Sequence, residues 1–142
     1  MEIVNRKANY SYFVLDKYEC GIALKGTEIK SLRNNSADIR DSFGIIRNNE
    51  IYLINMYIAK YEQGSSFNHD ERRSRKLLLH KSEIKKIKSE VEKQGITLVP
   101  LKVYLKGNLA KVSLGLCKGK KTYDKRQTIK ERDLLIESRR YK

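Results

Sequence analysis

The chain has 142 residues, 34% of them charged and 39% hydrophobic, which fits one globular domain able to bury roughly two-thirds of its unfolded surface. Thirty-one Lys and Arg against seventeen Asp and Glu leave a formal charge of +14; self-repulsion on that scale points to a polyanionic partner, nucleic acid before acidic protein or anionic membrane. No apolar run has the length of a membrane span, residues 1–8 lack the apolar core of a signal peptide, and Cys20 and Cys117 are too few for a disulfide framework or a zinc knuckle. Both cysteines are expected to be buried free thiols in a reducing cytoplasm, and no metal or cofactor is expected.

Residues 10–25 alternate as strand does, with Tyr10, Tyr12 and Val14 on one face. A short turn at Asp16-Lys17-Tyr18 is expected before a second run carrying Cys20, Ile22 and Leu24. Gly26-Thr27 opens a helix of about two turns, with Thr27 as N-cap, Glu28 in the first turn, Ile29 and Leu32 at helical spacing, and Asn34-Asn35 as its end. Strands over 42–47 and 50–59 flank Asn48-Asn49, residues that tolerate positive φ and so read as a hairpin turn. Residues 63–76 shift to Gly, Ser, Asn, Asp and Arg without periodicity and read as an exposed loop.

Leu77-Leu78-Leu79 then leads to a helix over 81–94, with Ile84, Ile87 and Val91 as its apolar stripe and Gly95 as C-cap. Strands over 96–106 and 109–117 meet at Gly107-Asn108, and Pro100 belongs at an edge or a bulge. The fold class is therefore mainly β with α: a small antiparallel OB-like β-barrel over residues 1–117 with two to three flanking helices. Residues 118–142 carry ten Lys and Arg against four acids and few apolar side chains. They read as a basic tail, disordered when free and helical on an RNA surface.

Catalytic chemistry finds little support. With two histidines in the chain, His69-Asp70 is a weak relay, because neighbours in an extended segment point apart. Lys118-Gly119-Lys120-Lys121 lacks the upstream glycine and strand–loop–helix setting of a phosphate loop, and Glu19 and Glu28 form no recognisable carboxylate pair. Nucleic-acid binding needs only distributed cations and stacking rings. Arg72-Arg73-Ser74-Arg75-Lys76, then Lys118, Lys120, Lys121, Lys125 and Arg126 around Tyr123, and Arg6 and Lys7 beside Tyr10 and Tyr12 provide both. RNA is favoured over DNA because no base-reading recognition helix is evident. Two other readings stay open: a ribosomal or ribosome-assembly protein bound to rRNA, and a small RNA-processing enzyme.

Five segments carry a resemblance. They are Asn5-Arg6-Lys7-Ala8, the run from Tyr18-Glu19-Cys20-Gly21 to Lys30-Ser31-Leu32-Arg33, Arg75-Lys76-Leu77-Leu78-Leu79-His80, Leu98-Val99-Pro100-Leu101-Lys102, and Gly115-Leu116-Cys117-Lys118-Gly119-Lys120-Lys121-Thr122-Tyr123-Asp124-Lys125-Arg126. In order and spacing these resemble the SsrA-binding (SmpB) family across nearly the whole chain. The resemblance implies an OB-fold, non-enzymatic, monomeric protein that binds transfer-messenger RNA (tmRNA) and completes a tRNA mimic in place of the anticodon arm. It also implies delivery with elongation factor Tu and GTP, after charging of tmRNA by alanyl-tRNA synthetase, to a 70S ribosome stalled on a truncated message.

The resemblance further implies tmRNA contacts at Tyr12, Glu19, Asn68, His69, Arg73, Arg75, Lys76, Lys118, Lys120 and Lys121. Contacts with the 16S rRNA decoding centre and the empty mRNA channel are implied for Tyr10, Tyr123, Asp124, Lys125, Arg126, Lys130, Arg132, Arg139 and Arg140. Tyr10 stands where the family commonly has His, and Cys20 where a small Ala is usual.

Overall fold

The computed structural model describes residues 1–61, 68–93 and 95–120. The elements run β1 (Glu2–Val4), α1 (Arg6–Ser11), β2 (Tyr12–Ile22), α2 (Gly26–Arg33), β3 (Ala37–Asp38), β4 (Phe43–Arg47), β5 (Glu50–Ile54), β6 (Tyr57–Ile58), β7 (Arg75–Leu78), α3 (Lys81–Val91), β8 (Ile96–Lys106) and β9 (Leu109–Gly119). Every pairing is antiparallel, and they close on themselves: β8 pairs β4, β4 pairs β5, β5 pairs β7, β7 pairs β2, β2 pairs β9, and β9 returns to β8. The rungs differ greatly in number. β8 and β9 register from Ile96↔Lys118 to Lys106↔Leu109, whereas β4 meets β8 at the single pair Gly44↔Leu98. There the missing side chain matters, since a Cβ on Gly44 would lie 2.8 Å from Leu98 Cβ.

The hairpin expected at Asn48-Asn49 forms, with φ of 51° and 61° as a two-residue primed turn requires. The β8–β9 hairpin and the α3 stripe are also present, with Ile84 and Ile87 buried and Gly95 at φ 82° beyond the helix. Leu32, Ile51, Leu53, Leu77, Ile87, Leu98, Val112 and Leu114 centre the core inside the ring.

Four expectations are corrected. Asp16-Lys17-Tyr18 is no turn: β2 runs unbroken, and Leu15 is an extra residue between the rungs Val14↔Cys117 and Asp16↔Leu116. One inserted residue flips every later side chain to the other face. Tyr12 and Val14 therefore pack outside the ring against Ala8, Val99 and Cys117, while Tyr18, Cys20 and Ile22 enter the main core. A matching bulge at Leu101, between Pro100↔Leu114 and Lys102↔Ser113, is where Pro100 finds its place.

Tyr10 lies in α1 instead of a strand, and α1 covers the small outer cluster through Ala8. The N-cap of α2 is Lys25; Thr27 sits inside the helix, and Glu28 reaches back to the Lys25 amide at 2.8 Å. Arg75 and Lys76 belong to β7 instead of an exposed loop, and Arg75 is fully buried. The tail expected over 118–142 lies outside the described residues from 121 onward, while Lys118 and Gly119 complete β9.

Candidate RNA-binding surface

Of the three basic clusters, 72–76 and the residues around Arg6 and Lys7 fall within the described residues, and the third does so only through Lys118 and Lys120. In the segment 68–76 His69 and Arg75 turn inward. Asn68 is tied to Tyr61, its Nδ2 donating to Tyr61 O at 2.8 Å and its Oδ1 accepting from the Tyr61 amide at 3.3 Å. His69 is 1% exposed, with Nε2 2.9 Å from Ile58 O and Nδ1 2.9 Å from Thr27 Oγ1. A carbonyl only accepts, so Nε2 carries a proton and donates it.

Glu28 is wholly buried and gathers the arginines. Its Oε1 accepts from Arg73 Nε at 3.1 Å and its Oε2 from Arg75 Nε, while Arg75 Nη1 donates to Met56 O at 2.6 Å and Nη2 to Glu71 O at 3.2 Å. Burial alone would push the Glu28 carboxyl upward. Hydrogen bonds from Arg73, the Lys25 amide and Arg75 outweigh it and hold the carboxyl below its ordinary value. Burial likewise pushes the Arg75 guanidinium down, against the pull of Glu28.

What this segment leaves at the surface is Arg72, Lys76 and part of Arg73. Arg72 stacks 5.3 Å over the Tyr57 ring and donates to Asn55 Oδ1 at 3.1 Å, and Lys76 lies 3.6 Å from Glu50. A carboxylate and three carbonyls therefore hold Arg75 as a strut from β7 to α2 and to the turn at 70–71. His69 ties α2 to β6 in the same way.

The second region is the outer face of the long strands. Glu19 is exposed on β2 opposite Ser113, which registers with Lys102; two rungs further, back on the same face, Gly21, Lys111 and Tyr104 align. Burial, and then a hydrogen bond with the Glu19 carboxylate, push the Tyr104 phenol above its ordinary range, and Lys102 Nζ lies 5.2 Å over the Tyr104 ring. An exposed carboxylate, the phenol hydrogen-bonded to it and two lysines thus share one open sheet face. The sequence reading picked out Glu19 alone of these. The signal for the others was the alternation along β8 and β9, which becomes usable once the registers are known. Tyr12 is on the same outer face but not beside Glu19: the intervening ladder puts them roughly 20 Å apart.

The third region is the end of β9 against α1. Lys118 is exposed, the Lys120 amide donates to Ser11 O at 2.9 Å, and Lys120 Nζ donates to Asn9 O at 3.0 Å while lying 4.9 Å over the Phe13 ring. Tyr10 is exposed on α1 close by in sequence. Lys121, Tyr123, Asp124, Lys125, Arg126, Lys130, Arg132, Arg139 and Arg140 lie outside the described residues.

Burial pushes the thiols of Cys20 and Cys117 up to about 12 and about 11, so neither is held as a reactive thiolate. Among the described residues no three His, Cys, Asp or Glu side chains gather as a metal site, and no helix is long and apolar enough to cross a membrane.

Comparison with known proteins fits this arrangement. The family model "SmpB protein" matches residues 2–142. An SsrA-binding protein of Carboxydothermus hydrogenoformans is 57% identical over 129 residues, covering 91% of this chain and 87% of the relative. One from Ligilactobacillus salivarius is 54% identical over 136 residues, covering 96% and 88%. Among solved structures, a chain from "tmRNA-SmpB: a journey to the center of the bacterial ribosome" superposes with a TM-score of 0.72 at 52% identity, over 85% of each chain. With a family match that spans essentially its whole length and relatives more than half identical to it, the chain belongs to the SmpB family.

Proposed function

We propose that this chain is a tmRNA-binding adaptor of trans-translation, the rescue of ribosomes stalled on truncated messages. The observation that carries the reading is the continuous family match over residues 2–142, with SsrA-binding relatives above 50% identity. The body, with β9 through Gly119, supplies the tmRNA surface and stands in for an anticodon arm, and the basic segment 122–142 enters the mRNA channel near the 16S rRNA decoding centre. Counterion release from Lys and Arg drives the attraction; unpaired or splayed bases stack on exposed rings such as Tyr10. Glu19 on its open face accepts from base amines or ribose 2′-hydroxyls, which a purely cationic surface cannot do.

The adaptor is monomeric, acts in the cytoplasm and turns over no RNA. Elongation factor Tu with GTP and alanyl-tRNA synthetase reach it through tmRNA. The test is binding to the tRNA-like domain of tmRNA across a salt series, with tRNA of matched size as competitor. Tight binding that survives excess tRNA supports the adaptor. Equal competition with a steep salt slope overturns it in favour of a generic polycation. Removing residues 122–142 leaves this affinity unchanged and abolishes tagging on stalled ribosomes, and cleaved RNA product in either assay would contradict the non-enzymatic reading.

A further inference from the structure

Between α1, the segment 39–43 and the start of β8 lies a cleft of about 310 Å³, at the small end of the range for ligand pockets. Two of its lining residues, Asn5 and Ser42, are 3% and 5% exposed, and Asn5 Oδ1 and Ser42 Oγ have no hydrogen-bond partner. Native interiors rarely leave such groups unsatisfied, because each gives up its hydrogen bonds to water and gains none in return. The two converge on one point of backbone: Asn5 Nδ2 donates to Ile39 O at 3.4 Å, and the Ser42 amide donates to the same carbonyl at 3.2 Å. Flipping the Asn5 amide is no remedy. Its Nδ2 also donates to Pro100 O at 2.9 Å, so a flip would set an oxygen against two carbonyl oxygens. Both atoms lie just beneath the surface of the cleft, so a fixed acceptor and a hydroxyl able to donate come within a ligand's reach once the side chains above them, Lys7 and Asp41 among them, move aside.

The walls narrow the class of ligand. Lys7 and Arg40 line the cleft, but Lys7 faces Asp41 at 3.6 Å and Arg40 is bound to Asp38 through three hydrogen bonds. The cations are already matched, so nothing here singles out a phosphate. Tyr12 and the exposed Phe43 supply aromatic surface at the same cleft. Stacking surface, one acceptor, one donor and no surplus charge suit the edge and face of a nucleobase.

We propose that this cleft seats one unpaired base of the RNA the protein works on. The base's N–H donates to Asn5 Oδ1, its neighbouring ring or carbonyl acceptor takes the Ser42 hydroxyl proton, and its face lies against the aromatic wall. Every base offers such a donor beside an acceptor, so the seat is tolerant of sequence. The exposed Lys7–Asp41 pair opens to admit the base, at little cost for a surface ion pair. This inference rests on the RNA-binding reading above and adds to it a site on the opposite side of the covered cluster from Glu19.

The test uses the full chain and two single-stranded probes of equal charge, a hexamer of adenosine and the same hexamer without bases, in 0.5 M salt. The intact hexamer is expected to shift the Asn5 side-chain amide signals in NMR, and the abasic one to leave them in place. Ser42→Ala, which removes no hydrogen bond of the folded protein, is expected to weaken hexamer binding several-fold without changing the melting temperature. If Ser42→Ala also weakens binding of isolated tmRNA, the base comes from tmRNA; if it weakens ribosome association alone, the base comes from rRNA. Equal shifts from both hexamers, or an Asn5 signal that contacts only a long-lived water, would overturn the proposal. A protein that seats the hexamer but binds tmRNA no better than tRNA would keep the seat and lose the adaptor.

Discussion

The segment 68–76 and the outer face around Glu19 both carry charge on β-structure, yet they use it in opposite ways. In the first, Glu28 pairs with both Arg75 and Arg73 inside the protein, its single negative charge offsetting one of their two positive ones. In the second, Glu19 stays exposed with Lys102 and Lys111 in the neighbouring registers. A cation count over the chain treats them alike. The difference teaches that a count of 31 Lys and Arg overstates the cations available to a partner where a buried acid meets them, and says nothing of the selectivity gained where an exposed acid interrupts them.

The sharpest way to break this comparison is Glu28→Ala. It leaves Arg75 buried and unpaired and is expected to cost about 3–5 kcal/mol in urea unfolding, with RNA affinity falling only as the folded fraction falls. A loss of RNA affinity in protein that remains folded would show the buried acid to be part of the contact surface. Thr27→Val comes next. It deletes the hydroxyl facing His69 Nδ1 and is expected to cost about 1–3 kcal/mol for the orphaned ring nitrogen, read as a lower midpoint with an unchanged m-value.

Acid sharpens the same contrast. The Glu28 carboxyl titrates below its ordinary value of 4.5 when folded. Its contribution is therefore fully present above that value and is lost as pH falls through the lower folded value. Wild type should lose stability more steeply than Glu28→Gln as pH falls below 4.5; parallel curves would mean that the carboxylate's charge is immaterial. The smallest stability effect belongs to the open face. Glu19→Gln is expected to move the midpoint by less than about 0.5 kcal/mol, as surface changes do, while lowering affinity for the tRNA-like domain of tmRNA. Unchanged affinity would remove Glu19 from the contact.

Much of the frame was legible in the residues. Asn48-Asn49 and Gly107-Asn108 mark two hairpins because few residues accept positive φ, and Ile84 and Ile87 mark the buried side of α3. What escaped was non-local or ambiguous by period. A turn and a bulge both interrupt alternation, so Asp16-Lys17-Tyr18 could be told from Leu15 only by the partner strand. α1 has six residues, no acidic first turn and no side-chain cap, so local signals for it are weak. Arg75 read as surface because its counter-ion lies 47 residues away on α2, a distance no local pattern bridges. Tyr104 and Lys102 became visible beside Glu19 only with the β8–β9–β2 registers in hand.

The single rung between Gly44 and Leu98 has a dynamic corollary. A closed ring of strands breathes where fewest bonds must break, and here that joint is the meeting of β4 and β8. Amide hydrogens near 44 and 98 should exchange with solvent well before those of the long β8–β9 ladder. Ser42, Phe43, Thr97 and Val99, which flank this rung, also line the cleft. Whatever occupies the cleft therefore grips both lips of the seam, and its arrival should be readable as slowed deuterium uptake there, a latch fastened on the part of the ring that opens first.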